Sequence, residues 1–361
     1  MSNGYVLGTP RLFSKYAYDW WWHHFYATNP KTGEERGFFL EFFVMNPSLN
    51  TPGPQFFPKT PCYVMVKCGC WPTPHCPRGK QINAFFPISA LTASTDCLDL
   101  RIGPDITSTE TRLTGCVEVE RGYAKSRARL FSDSGRMSWD LRVKKKTSFD
   151  PGYATRGISR FVNLFDMFWY VKGTDAEYQG WIECDGQRFI TRYATSYGYQ
   201  DKNWGRSFTN PWLWLSCHCV KTHDGRVIRG ASLVVGGTHP TVLHNAWFSD
   251  KHLLVFWHRP RHEPIVFNFT KPWTFGGETQ WSVHKGRDRL TWRISCTRED
   301  TTLDIVVWCD HKSLINIHYE DPRGHIEFPK LFNGGYGRGT LTVNKTMTFL
   351  LERCGCEFGQ V

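Results

Sequence analysis

Apolar and polar positions along the chain recur with the period of two that extended strands require, and seldom with the helical period. Phe38–Met45 is a dense apolar run, and Cys62–Lys67 carries β-branched and aromatic residues in a short segment. From residue 226 onward the pattern is nearly regular. It predicts strands at Val227–Val235, Val242–Phe248, Leu253–His258, Pro264–Phe269, Thr279–His284, Leu290–Cys296, Leu303–Cys309, Leu314–Tyr319, Gly339–Val343 and Met347–Glu352. Asp224-Gly225, Gly276-Gly277 and Asn333-Gly334-Gly335 read as turns between them. Short strands at this spacing predict an antiparallel barrel or sandwich. A length of 361 residues suits two domains. The polar Lys172-Gly173-Thr174-Asp175 is the expected division, giving residues 1–175 and 176–361. Pro47–Pro61 and Pro72–Pro77 read as long loops, suited to cover the mouth of a pocket.

Composition narrows this picture. Phe, Trp and Tyr make up 16% of the chain, with Trp outnumbering Tyr, and this balance excludes a helical bundle rich in Leu, Ala, Glu and Lys. Either the core or a pocket is aromatic, or both. The net charge is +11. Residues 121–146 hold nine bases and two acids, 9 − 2 = +7, which is most of that excess. No nucleic-acid module accompanies the patch, so no nucleic-acid partner is expected, and peripheral membrane contact stays open. The plainer reading is a strand edge kept from aggregating by Lys and Arg.

The N-terminus lacks the apolar stretch of a secretory signal, and no run is long and apolar enough for a membrane helix. Phe161–Val171 comes nearest but contains Asn163 and Asp166. A cytoplasmic protein with reduced thiols is expected. Three C-x-C pairs, Cys68/Cys70, Cys217/Cys219 and Cys354/Cys356, read as small residues sharing a strand face rather than as a metal site. No glycine-rich phosphate loop or flavin motif is visible, so no metal and no cofactor are expected.

Two stretches carry chemistry. The first is Tyr18-Asp19-Trp20-Trp21-Trp22-His23-His24-Phe25. On a strand, Trp20 and Trp22 share one face, and Trp21 lies opposite with Asp19 and His23. The second is Tyr197-Gly198-Tyr199-Gln200-Asp201-Lys202-Asn203-Trp204-Gly205, followed by Trp212-Leu213-Trp214. A carboxylic acid among apolar rings loses solvation, stays protonated near neutral pH and is suited to general acid catalysis. Indole and phenol faces stabilise a nearby cation. If Lys202 reaches Asp201, the acid becomes an ordinary ion pair. Alternation predicts that the two point opposite ways. A structural Asp capping a turn is the competing reading.

These residues resemble the tocopherol cyclase-like family. The resemblance rests on Gly180-Trp181-Ile182-Glu183-Cys184-Asp185-Gly186, on Tyr199-Gln200-Asp201-Lys202-Asn203-Trp204-Gly205, and on Trp212-Leu213-Trp214. Weaker similarity lies in Ser138-Trp139-Asp140-Leu141, in Cys356-Glu357-Phe358-Gly359 and in Asp19-Trp20-Trp21-Trp22. It is dense only over about residues 138–220. The wider lipocalin-like group includes carotenoid hydratases and decalin-forming Diels–Alderases. The resemblance implies two lipocalin-like antiparallel β-barrel or β-sandwich domains with a pocket at or near their junction, and apolar isoprenoid or polyene substrates. It places Asp201 on the position from which hydratases protonate a double bond, and Tyr199 on their motif tyrosine. The chain departs from the family pattern at Asp201, where Glu is frequent in cyclases, and at Ser216, where Gln is common.

The resulting expectation is a cyclase of an apolar unsaturated substrate. Asp201 is the expected proton donor, with Tyr199 and His23 orienting it or taking the proton back. Trp20, Trp22, Asp19, Asn203, Trp204, Trp212, Trp214 and Trp257 are the expected substrate-binding residues. A pericyclase or alkene hydratase using the same pocket, and a non-catalytic carrier of apolar ligands, are the alternatives.

Overall fold

The computed structural model describes residues 3–7, 15–126, 128–130, 132–151, 167–208, 211–238, 252–268, 277–324 and 331–359. Two large antiparallel sheets dominate, with a single short α-helix, Arg121–Ser126, among the described residues. The fold is all-β and lipocalin-like.

In the first sheet, Lys80–Phe86, Tyr63–Cys70, Glu35–Met45 and Tyr18–Thr28 lie side by side in that order. Gly198–Gly205 is inserted between Tyr18–Thr28 and Met167–Cys184, pairing with both. Gly135–Lys144 and Arg112–Val119 continue the sheet. In the second sheet, His252–His258, Ser232–Thr238, Trp212–Cys217, Met347–Gly359, Leu331–Val343 and Thr301–Asp310 follow one another. Most strands expected from residue 226 onward agree with these elements, but Asn333-Gly334-Gly335, expected as a turn, lies inside the strand Leu331–Val343, the strand expected from Val227 begins at Ser232, and Val242–Phe248 lies outside the described residues. The first sheet ends at Gly205 and the second begins at Trp212. Lys172–Asp175, the expected division, instead sits inside the strand Met167–Cys184, where register shifts between Val171 and Ala176 absorb its polar residues.

Each sheet encloses its own core. Trp21, Phe25, Phe38, Leu40, Phe42 and Trp139 fill the first. Leu215, Val235, Trp257, Trp292, Ile305 and Cys356 fill the second. A third layer lies between the sheets and is mostly aromatic: Trp20, Trp22, Phe39, Phe43 and Trp71 meet Trp212, Phe256 and Tyr319. Each such ring removes about 150–250 Å² from water, so this layer locks the sheets together. Hydrogen bonds cross the same seam. Trp71 Nε1 donates to Asn333 Oδ1 at 2.7 Å, and the backbone N of Phe57, in the Pro47–Pro61 loop, donates to Glu320 Oε1 at 2.7 Å.

One expectation changes here. Gly135–Lys144, which carries Arg136, Arg142 and Lys144, is paired on both sides, so its cations do not protect a sheet edge. They occupy its outward positions, alternating with buried Met137, Trp139, Leu141 and Val143. The thirteen cysteines are free thiols, and Cys68, Cys70, Cys217, Cys354 and Cys356 are core residues. Among the described residues no group of three or more His, Cys, Asp or Glu is placed to hold a metal, and no helix is long and apolar enough to cross a membrane.

Candidate active site at the sheet junction

Residues directly opposite in an antiparallel pair share a face. Register therefore sorts the two motif strands into two faces. Trp20, Trp22 and His24 oppose Asn203, Asp201 and Tyr199. Trp21, His23 and Asp19 oppose Lys202, Gln200 and Trp204. The first set faces the other sheet; the second faces into the first sheet's interior.

The interior face is a closed polar unit. Lys202 Nζ is ion-paired with Asp19, both side chains being fully buried, and lies 3.7 Å from the centroid of the Trp21 ring. Val6 N donates to Asp19 Oδ2 at 2.7 Å. Burial raises the Asp19 pKa, and the Lys202 charge opposes that rise. His23 Nδ1 and Tyr178 Oη are 2.9 Å apart. Trp204 stacks on Phe168 at 5.5 Å. Asp19, His23 and Trp204 are thus turned away from Asp201, because the pleat points alternate side chains to opposite faces.

The junction face is built differently. Asp201 is 4% exposed, and its carboxylate is held by neutral donors: Oδ2 accepts from Trp169 Nε1 at 2.8 Å and from Tyr199 Oη at 2.9 Å. Oδ1 is buried without a hydrogen-bond partner among the described residues. Burial raises the Asp201 pKa from an ordinary 3.8 to about 7; the Trp169 and Tyr199 bonds oppose the rise, and Glu357 and Glu41 add to it. The group is therefore partly a neutral acid near neutral pH. Tyr199 is fixed in turn by Trp214 Nε1, 3.2 Å from its oxygen, and by stacking on His24 at 5.4 Å. Trp22 Nε1 donates to His24 Nδ1 at 3.4 Å, and burial lowers the His24 pKa to about 3.

A second acid comes from the other sheet. Glu357 opposes Trp214 in register, so it faces the junction. Its Oε1 accepts from Trp212 Nε1 at 2.6 Å and its Oε2 from Asn333 Nδ2 at 2.7 Å. Burial raises its pKa to about 7, against the two hydrogen bonds. A third carboxylate, Glu41, is ion-paired with Lys67 at 2.9 Å and accepts from Tyr319 Oη at 2.9 Å.

Of the residues expected from sequence, the junction gathers Asp201, Tyr199, Asn203, Trp20, Trp22, Trp212 and Trp214. Asn203 lies across from Trp20 and Trp169. Trp257 is buried in the second core against Phe349 and does not reach the junction. Four residues escaped sequence reasoning: His24, Trp169, Glu357 and Asn333. His24 was within reach, since the alternation that separates Trp21 from Trp22 also places His24, not His23, beside Trp22. Trp169 and Glu357 are distant in sequence from Asp201 and act on it only through the fold, and Asn333 arrives at the junction with Glu357.

A model of the tocopherol cyclase-like family matches residues 106–327. The chain belongs to the tocopherol cyclase-like family. That match includes Trp169, Tyr199, Asp201, Trp212 and Trp214 and leaves Trp20, Trp22, Glu41 and Glu357 outside it. Tocopherol cyclase, chloroplastic, from Zea mays is 32% identical over 120 residues, 33% of this chain and 23% of that protein. A protein of Oryza sativa subsp. japonica named as a probable tocopherol cyclase, chloroplastic, is 27% identical over 140 residues, 38% of this chain and 29% of that protein. The aligned segments thus span less than a third of either relative. Two solved structures share the fold across nearly the whole chain. Kievitone hydratase from Nectria haematococca has a TM-score of 0.55 at 10% identity, covering 94% of this chain and 89% of that one. A protein assigned as AttH from Nitrosomonas europaea has a TM-score of 0.51 at 12% identity, covering 99% and 98%.

Proposed function

We propose that this chain is a cyclase that protonates an alkene of an apolar substrate from Asp201 and lets the resulting cation close a ring. The observation that carries the proposal is a buried carboxyl with no paired cation, held through one oxygen by two neutral donors and with its other oxygen free. Tyr199 and Trp169 orient Asp201, so the free Oδ1 is the atom that delivers the proton. The substrate lies in the aromatic layer between the sheets, where Trp20, Trp22, Trp212 and Trp214 supply the surrounding faces. Each indole face stabilises a tertiary cation by about 0.5–2 kcal/mol. Membership of the tocopherol cyclase-like family supports this class of reaction.

The test uses ortho-prenylphenol, the simplest molecule in which a trisubstituted alkene and a hydroxyl can close a six-membered ring. Incubated in heavy water with the wild-type protein, it is expected to yield the cyclic isomer carrying one deuteron on the former alkene CH. Asp201→Asn is expected to slow this by about 10²–10⁴-fold, the usual contribution of a general acid. Undiminished turnover by Asp201→Asn contradicts the donor role and favours a pericyclic reaction, in which Trp214→Ala is damaging instead. Oxygen taken from labelled water marks a hydratase. Recovery of bound, unchanged ligand marks a carrier.

A further inference from the structure

We propose that Glu357 is the proton acceptor that completes the reaction, taking the proton that leaves the substrate as the ring closes. This rests on the reading of Asp201 as the donor. Trp212 and Trp214 are two residues apart on one strand and point to one face, their Cα atoms about 7 Å apart. Trp214 holds Tyr199, which donates to Asp201, while Trp212 holds Glu357. One short strand thus fixes both acids, one from each sheet, on the same aromatic layer. The two carboxyls are close enough that a charge on Glu357 raises the Asp201 pKa.

Among the described residues, the other titratable groups at the junction are less suited to the acceptor role. His24 is stacked on Tyr199, accepts from Trp22 Nε1 and has its pKa lowered to about 3 by burial. Lys67 and Glu41 neutralise one another across 2.9 Å. Tyr199 and Tyr319 hold their protons, their pKa values being raised by burial. The groups facing Glu357 are Asn333 and Trp212 from its own sheet, and Asp201, Glu41, Lys67 and Tyr319 through their charges or dipoles. Of these, Asp201 is the acid whose own pKa the Glu357 charge raises, so a proton returned from Glu357 has a receptive site there. Two buried carboxyls at close range do not both ionise readily.

The step balances without a further reactant. The Asp201 proton forms a bond to the less substituted alkene carbon, using the π pair and leaving a tertiary cation. A lone pair of the substrate hydroxyl forms the C–O bond, and the O–H proton passes to the Glu357 carboxylate. The product is an isomer of the substrate. Asp201 ends ionised and Glu357 protonated, and the cycle closes when the proton is exchanged between them.

Glu357→Gln, assayed with ortho-prenylphenol in heavy water, is expected to slow ring closure by about 100-fold or more while deuterium still washes into the recovered alkene. If Glu357→Gln closes the ring as fast as wild type while Asp201→Asn is inactive, the acceptor role is overturned and the donor role stands. If Asp201→Asn remains active, the donor role itself fails. A second measurement is independent of turnover and of whether Glu357→Gln folds. Infrared titration of protein carrying ¹³C-labelled glutamate carboxyls is expected to show the Glu357 midpoint falling in Asp201→Asn, where a like charge is removed. It is expected to rise in Trp212→Phe, where a hydrogen-bond donor to the carboxylate is removed. A Glu357 midpoint unmoved by Asp201→Asn overturns the coupling between the two acids and with it the acceptor role.

Discussion

Asp19 and Asp201 lie on adjacent paired strands and are both nearly or fully removed from water, at 0% and 4% exposure. Burial therefore does not distinguish them; their partners do. Asp19 faces the first sheet's interior, where Lys202 under the Trp21 ring supplies a full opposite charge. Asp201 faces the other sheet, where it meets an indole N–H, a phenol and two further acids at longer range. The same residue type is a structural anion on one face and a reservoir of a proton on the other. What the contrast teaches is that the D-K pair in the motif is not an ion pair at all: the pleat separates its members, gives the lysine to Asp19 and leaves Asp201 unneutralised.

The contrast can be broken most severely at Lys202. Lys202→Met leaves Asp19 charged and buried without its partner, and is expected to cost about 3–5 kcal/mol of stability in a urea titration. The double variant Asp19→Asn/Lys202→Met is expected to recover part of that loss. Asp201→Asn keeps an acceptor for Trp169 and Tyr199 and does not ionise, so it is expected to stabilise the fold at pH 7, by at most about 4 kcal/mol, the opposite sign from Lys202→Met. Equal losses at the two sites contradict the comparison.

The next largest effect is on pH dependence. The folded pKa of Asp201 lies above its ordinary value, about 7 against 3.8, so the folded state holds a proton that the unfolded chain has released. The stabilisation is complete below about pH 4 and is lost as pH rises through 7, with a slope of at most about 1.4 kcal/mol per pH unit. Glu357 acts in the same direction. Stability measured from pH 4 to 8 is expected to decline less steeply in Asp201→Asn than in wild type. The smallest effect is expected from Trp169→Phe, which removes one donor to the Asp201 carboxylate at a cost of about 1 kcal/mol and raises the Asp201 midpoint.

Much of this arrangement was legible in the sequence because a strand has a period of two. That rule alone separates Trp21 from Trp20 and Trp22, and Lys202 from Asp201. The same rule, carried through, also moves His23 and Trp204 off the Asp201 face and brings in His24. Register is what alternation lacks: only the pairing of Trp22 with Asp201 shows which faces of the two strands coincide. Trp169 was hidden inside an apolar run, and Glu357 and Asn333 sit in the last two long strands, where the family likeness of Cys356-Glu357-Phe358-Gly359 gave Glu357 no role. Such long-range contacts follow from how the second sheet stacks on the first. The change of sheet was misplaced for a related reason: Lys172–Asp175 has the composition of a linker, but a bulged strand accommodates it.

The central claim is that Asp201 is a neutral acid on a face where Asp19's counter-charge is absent. Infrared titration of the chain with ¹³C-labelled aspartate carboxyls, compared with Asp201→Asn, measures this directly. A protonated carboxyl band is expected to persist into the neutral range, titrate near pH 7 and be missing from Asp201→Asn. An Asp201 carboxyl that is already ionised at pH 5, with no difference between wild type and Asp201→Asn above that pH, contradicts it.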